Sequence, residues 1–161
     1  MKNILKFLIL SIGFFTLSCT DDVADTERES INTDVAAVLQ SPGDGFSMVL
    51  ENENASDFAT SFVWDYATYT GTSTVVNYAI EFDAAGTNFE SPTVVANSTT
   101  KFKEFTVGEL NQAALDAGFV PFTESSIDVR IKSTVGTTGV STPQYSNYFT
   151  ITLTPYPAWP N

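Results

Sequence analysis

The chain has 161 residues, of which 19 are acidic, 7 are basic and none is histidine, so its formal charge at pH 7 is −12. Such an acidic protein repels nucleic acid, and the lack of histidine removes the commonest general base and the commonest metal ligand. A single cysteine allows no intramolecular disulfide, while 13 phenylalanines, 6 tyrosines and 2 tryptophans are sufficient for one hydrophobic core.

The amino-terminal residues have the pattern of a secretory signal peptide. A weakly cationic start is followed by a nearly unbroken apolar run over residues 7–17. Because roughly 20 apolar residues are needed to span a bilayer, this shorter run predicts a cleaved signal. The run ends in Thr16-Leu17-Ser18-Cys19, with a small residue before the only cysteine, which is typical of a bacterial lipoprotein signal.

We therefore expect residues 1–18 to be removed and Cys19 to become a lipidated first residue. The alternative is a structural cysteine within a longer secretory signal. Two or more acyl chains on Cys19 would anchor the protein stably to a lipid bilayer, since each buried methylene contributes about 0.8 kcal/mol. Loss of Lys2 and Lys6 leaves 5 basic residues against 19 acidic ones, a formal charge of −14.

Residues 19–35 are predicted to be an acidic, flexible tether. Residues 20–34 contain six acidic residues, one arginine and few apolar residues, too little hydrophobic surface to offset the entropy cost of ordering. Asp21 and Asp22, directly behind the cysteine, resemble the export signal that sends some lipoproteins to the exterior of the outer membrane.

Residues 36–157 alternate between apolar and polar residues with the period of half-buried strands. Phe62 and Trp64 fall on one face of such a strand, and we expect Trp64 to lie in the middle of the core. Strands are predicted over residues 38–42 (an edge strand), 46–50, 61–65, 76–83, 93–96, 102–107, 127–132 and 148–154.

One helix, over residues 107–117, is predicted between the last strands. Thr106 and Glu109 fit a capping box, and Gly118 followed by Pro121 ends the apolar stripe. Short strands with one crossover helix predict an all-β, two-sheet sandwich of immunoglobulin or fibronectin type III kind.

An ordered set of short segments resembles the amino-terminal domain of SusE-type outer-membrane lipoproteins over about residues 37–157. The segments are LQSPGDG (39–45), FVW (62–64), VNYAIEFD (76–83), NF (88–89), VGELN (107–111), DVRIK (128–132) and TLTPY (152–156).

The resemblance implies an outer-membrane protein that faces the cell exterior beside a porin-like transporter and a partner glycan-binding lipoprotein. It also implies a role in the capture of starch or related oligosaccharides. In the family the sugar sites lie chiefly in later domains, and the amino-terminal sandwich is a spacer near the membrane. We therefore expect residues 158–161 to be a tail or the start of a linker to a missing domain, in a fragment or a shortened member.

The expected function is that of a spacer and assembly domain, and the alternative is a carbohydrate-binding module. Sugar binding needs exposed aromatic rings flanked by hydrogen-bonding groups, and the candidates are Tyr66, Tyr69 and Trp159. No enzyme, cofactor or metal is expected, because a catalytic triad would need an unusual lysine base. With 19 acids, a pair of carboxylates at glycosidase spacing would arise by chance. For the acidic segment 51–54 with Asp57, we prefer a solvated turn to a calcium site.

Overall fold

A computed structural model describes residues 29–72, 74–136 and 141–158. These residues form ten strands, one α-helix and one short 3₁₀ turn. The elements are β1 (Asn32–Thr33), β2 (Leu39–Ser41), β3 (Ser47–Val49), β4 (Phe58–Trp64), β5 (Tyr69–Thr70), β6 (Val76–Ala84), β7 (Thr93–Ser98), β8 (Phe102–Thr106), α1 (Val107–Asp116), β9 (Ser125–Val135) and β10 (Ser141–Thr154).

The strands form two main sheets, which confirms the predicted all-β sandwich. The large sheet has the order β3-β10-β9-β6-β7, and the small sheet has the order β2-β4-β8. The predicted edge strand β2 does lie at an edge. A third, two-stranded pair joins β1 to β5, and β3 pairs in parallel with the end of β10.

The core lies between the two main sheets. Phe62 and Trp64 of the small sheet face Tyr78, Ile80 and Phe82 of the large sheet, and all five side chains are almost completely buried. The Trp64 ring centroid lies 5.6 Å from that of Tyr78, so the predicted central position of Trp64 is confirmed. Alternation in β4 and β6 therefore produces the two facing apolar surfaces.

Helix α1 connects β8 of the small sheet to β9 of the large sheet, as predicted. Its capping box is present: the Glu109 N–H donates to Thr106 Oγ1 at 3.2 Å, and the Thr106 N–H donates to Glu109 Oε2 at 3.0 Å. Leu110, Ala113 and Ala114 bury the apolar stripe. The helix ends at Asp116, one residue before the predicted boundary.

The first described residues and the last ones lie at opposite ends of the sandwich. Residues 29–31 line a shallow cavity with Ser141 and Thr142, which lie at the start of β10. We name this end of the sandwich the β1 end. At the α1 end, Tyr156 follows β10, and its N–H donates to Asn111 Oδ1 at 2.8 Å. Residues 141–153 of β10 lie opposite the 11 residues of β9, so the two ends are separated by about 35 Å.

The ordered body begins earlier than predicted, because β1 lies within the segment expected to be tether (19–35). Asn32 and Thr33 pair with Thr70 and Tyr69. The Thr68 hydroxyl donates to Asp34 Oδ2 at 2.7 Å. The tether was predicted because this segment has little apolar surface to bury. Backbone and side-chain hydrogen bonds nevertheless hold residues 32–34 against β5 and Thr68.

Candidate functional site

The predicted sugar-contact residues occupy different environments. Tyr66 is 60% exposed, and the Lys101 ammonium lies 5.5 Å from its ring centroid. Tyr69 is half-buried, and its hydroxyl donates to Ser133 Oγ at 3.2 Å. No ring contact joins these two tyrosines within the described ranges. Trp159 and the lipidation candidate Cys19 lie outside the described residues.

A different pair of tyrosines is brought together on the large sheet by a bulge in β10. Tyr145 is opposite Lys132 and Tyr148 is opposite Arg130, so three steps along β10 match two along β9. Regular alternation would place residues 145 and 148 on opposite faces, but the extra residue turns both to the outer face, away from the core. The Ser146 hydroxyl accepts the Ile131 N–H within the bulge at 2.8 Å.

On this outer face the guanidinium of Arg130 lies between two aromatic rings. Its Cζ is 4.1 Å from the Phe89 centroid and 4.0 Å from the Tyr145 centroid. The Tyr148 ring makes an edge contact with Phe89 at a centroid distance of 6.0 Å. We name Phe89, Arg130, Tyr145 and Tyr148 the aromatic–arginine cluster.

A buried carboxylate holds Arg130 in place from below. Glu81 is opposite Arg130 in the β6–β9 pairing and is only 3% exposed. Arg130 Nε donates to Glu81 Oε2 at 2.8 Å, and Lys132 Nζ lies 3.9 Å from Glu81 Oε1. Because Glu81 has cationic partners on the same face, its charge is compensated where water cannot reach it.

Phe89 reaches the cluster from the loop between β6 and β7. Both Phe89 and the preceding Asn88 have positive φ angles, of 56° and 62°, a conformation that is uncommon for residues other than glycine. The ring of Phe89 contacts both Arg130 and Tyr148, so side-chain packing compensates this backbone conformation.

Two further carboxylates border the cluster, and both have partners. Asp128 accepts the Gly86 N–H at 2.9 Å and the Thr150 hydroxyl at 2.6 Å. Burial alone would raise the pKa of Asp83, but hydrogen bonds and the Arg130 charge outweigh it and lower this pKa. Together with Glu81, this face therefore has three carboxylates against two cations, Arg130 and Lys132.

The exposed part of the cluster is formed by ring surface. Tyr145 is 44% and Tyr148 is 59% exposed, whereas most of the Arg130 side chain is covered. Paired charges below and exposed rings above are features of a binding surface, and the cluster contains no nucleophile with a neighbouring base.

Tyr148 lies in the predicted strand 148–154, but the sequence did not indicate this cluster. Tyr145 was missed because it lies outside the predicted strand (148–154), whereas β10 begins at Ser141, and the strand prediction included no bulge. The bulge could have been inferred from the sequence Tyr145-Ser146-Asn147-Tyr148, because two polar residues there separate two aromatic residues in an otherwise alternating segment.

Two other surface cavities lie away from the cluster. One, of about 620 Å³, includes the exposed rings of Phe58 and Phe102. The other, of about 330 Å³, lies at the α1 end beside the exposed Phe122 and near Tyr156.

The acidic segment considered for calcium forms an exposed 3₁₀ turn at Asn52–Asn54. No group of three or more acidic or thiol side chains with a metal-binding arrangement occurs among residues 29–72, 74–136 and 141–158. Within those same ranges, no helix has the length and apolar character required to cross a membrane.

Comparison with known proteins identifies the family of this chain. No curated protein matches the chain. The model of the family described as SusE outer membrane protein matches residues 24–132, which is more than half of the sequence and includes every strand from β1 to β8. The chain therefore belongs to the SusE outer membrane protein family.

Proposed function

We propose that this chain is a lipid-anchored spacer and assembly domain in the Sus-type glycan uptake system to which its family belongs. In this role the sandwich does not transform the glycan. It sets the distance between the outer membrane and the proteins or domains that handle the sugar.

The separation of the two ends of the sandwich is the observation that supports this proposal. Residues 29–31 lie at the β1 end and Tyr156 lies at the α1 end, with the length of β10 between them. The 11 residues of β9 that pair with β10 span about 35 Å. Groups attached at the two ends are thus kept apart by a packed body instead of by a flexible linker.

The chain that leads from the proposed anchor at Cys19 joins the described part of the sandwich at residue 29, which is at the β1 end. The acidic residues between Cys19 and β1 repel anionic headgroups and favour a position above the membrane surface. We propose that the anchored domain faces the cell exterior, beside a porin-like transporter and a glycan-binding lipoprotein.

Direct carbohydrate binding through Tyr66, Tyr69 and Trp159 is the second candidate function. The exposed ring of Tyr66, with a lysine beside it, supports this candidate. The half-buried ring of Tyr69 and its bond to Ser133 weaken it, because a stacking platform needs an accessible ring.

A domain exchange in cells tests the spacer role. We expect deletion of residues 36–157 to abolish glycan uptake measured at saturating glycan. Replacement by an unrelated sandwich of similar end-to-end length should restore most of it, with surface amounts of each variant matched by antibody labelling. An exchanged protein that behaves like the deletion would contradict a purely geometric role.

Fatty-acid labelling tests the anchor separately. A radioactive fatty acid should label the wild-type chain but not Cys19→Ala, and that variant should be released from membranes. Label retained by Cys19→Ala would contradict lipidation at this residue.

A further inference from the structure

We infer that the aromatic–arginine cluster on the outer face of the large sheet is a binding site for a neutral oligosaccharide. The site is distinct from Tyr66, Tyr69 and Trp159. Its two tyrosines lie beyond residues 24–132, the segment that the family model matches.

The first support is the contiguity of exposed ring surface. Isolated exposed aromatics are ordinary on protein surfaces, whereas connected apolar patches mark interaction sites. Here ring contacts connect Tyr148 to Phe89 and Phe89 through Arg130 to Tyr145. A bulge in β10 is required to present both tyrosines on this face, and bulges often reorient side chains next to functional sites.

The second support is the rigidity of the rings before any ligand binds. Arg130 is fixed by Glu81 below it and by a ring on each side, and Tyr145 packs directly against its guanidinium. Immobilising a free side chain on binding has an entropy cost that opposes binding. Side chains that are already held by such contacts lose less freedom, which favours the binding of a weakly interacting ligand.

The third support is the charge of the face, which determines the class of ligand. Glu81, Asp83 and Asp128 outnumber Arg130 and Lys132, and the chain as a whole has a formal charge of −12. The resulting negative electrostatic potential disfavours the binding of an anionic polysaccharide, a nucleic acid or an anionic lipid surface. Because Glu81 is paired with Arg130 and Lys132, and Asp83 and Asp128 accept hydrogen bonds from neighbouring groups, no strong demand for a counter-charge remains, and a neutral ligand fits best.

The fourth support is the combination of rings with hydrogen-bonding groups. An apolar surface with a few placed polar groups is the usual design of a small-ligand site. The hydroxyls of Tyr145 and Tyr148 and the ammonium of Lys132, one-third exposed, can bond to sugar hydroxyls, while the rings stack on the C–H face of a pyranose. The choice of a sugar among neutral ligands rests on the proposed function in glycan uptake.

Affinity electrophoresis of the purified full chain in detergent tests this inference. The probes are neutral polysaccharides (amylopectin, dextran, xylan and laminarin) and the anionic polygalacturonate. We expect at least one neutral polysaccharide to retard the wild-type chain and polygalacturonate not to do so. Tyr148→Ala and Tyr145→Ala should each weaken the retardation about tenfold, which corresponds to about 1.4 kcal/mol of binding free energy.

Phe58→Ala is the matched control, since Phe58 is about as exposed as Tyr148 (64% against 59%) but lies on the small sheet outside the cluster, so its removal should leave the retardation unchanged. Tyr148→Phe should retain most binding, and thermal unfolding of each variant establishes that it is folded. Absence of retardation by every neutral polysaccharide, or equal retardation of Tyr148→Ala and wild type, would overturn the inference.

Tyr148-dependent co-purification of a membrane protein in the absence of sugar, without retardation by any polysaccharide, would assign the cluster to a protein partner and would also overturn it. Each of these failures would leave the spacer role untouched, because the domain exchange measures uptake at saturating glycan and depends on length.

Discussion

The side-chain amide of Asn147 bonds to both backbone groups of Leu39. Asn147 Oδ1 accepts the Leu39 N–H at 2.8 Å, and Asn147 Nδ2 donates to the Leu39 carbonyl at 3.1 Å. Asn147 lies in the bulge of β10 and Leu39 is in β2, so this contact joins an inner strand of the large sheet to an edge strand of the small one. The bulge that presents the two tyrosines thus also connects the two sheets.

We expect Asn147→Ala to destabilise the protein by about 2 kcal/mol, because two partly buried backbone groups lose their partners. The free energy of unfolding from chemical denaturation measures this effect. Asn97→Ala, which changes an exposed asparagine in β7, is the control and should change stability by less than about 0.5 kcal/mol. Equal stabilities of the two variants would contradict a structural role for Asn147.

Trp64→Ala should cost about 3–5 kcal/mol because it opens a cavity in the centre of the core. Trp64→Phe should cost clearly less. The buried Trp64 Nε1–H has no hydrogen-bond partner among the described residues, so phenylalanine keeps much of the ring and removes an unpaired donor. Denaturant midpoints compare the two variants, and an alanine variant no less stable than the phenylalanine one would contradict this packing.

The elements that the sequence predicted correctly are those defined by local chemistry. Helix α1 depends on a capping box and a stripe of small apolar residues, all within about one dozen positions. Strands β4 and β6 alternate clearly enough for their inward faces to be assigned, including the buried Trp64. In each case the information lies in neighbouring residues.

The features that the prediction missed depend on residues far apart in the chain. Glu81 occupies an outward position in β6, yet it is buried because Arg130, 49 residues later, covers it. Tyr145 reaches the outer face only because β10 gains a residue relative to β9. The parallel pairing of β3 with the end of β10 joins residues 47 and 152, and no local pattern specifies it.

The capping box should make stability depend on pH. The hydrogen bond from the backbone N–H of Thr106 is the main cause that lowers the pKa of Glu109 below its usual value of 4.5. Burial opposes this lowering, and the charge of Lys103 adds to it. Because the folded-state pKa is lower than the unfolded one, the contribution of the carboxylate is fully present above the unfolded pKa. It is lost as pH falls through the folded pKa.

Glu109→Gln should therefore be less stable than the wild type at about pH 7, and this difference should shrink at about pH 3. Urea unfolding at several pH values measures it. Thr106→Ala is the comparison: loss of the cap hydroxyl should cost about 1 kcal/mol and persist at low pH. A Glu109→Gln difference that grows as pH falls would have the wrong sign.

The buried carboxylate of Glu81 should be more strongly coupled to Arg130 than to Lys132. Arg130→Met leaves the buried Glu81 with only the longer contact to Lys132, and we expect a loss of about 3 kcal/mol, the lower end for breaking a buried pair. Glu81→Gln combined with Arg130→Met should cost less than the sum of the two single changes, because the second substitution removes the uncompensated charge. Lys132→Met, which removes a side chain that is one-third exposed and 3.9 Å from Glu81, should cost at most about 1 kcal/mol. Chemical denaturation of the wild type, the two single variants and the double variant gives the coupling free energy between Glu81 and Arg130. Strictly additive costs would show that the Glu81 carboxylate does not hold the Arg130 guanidinium between the rings of Phe89 and Tyr145.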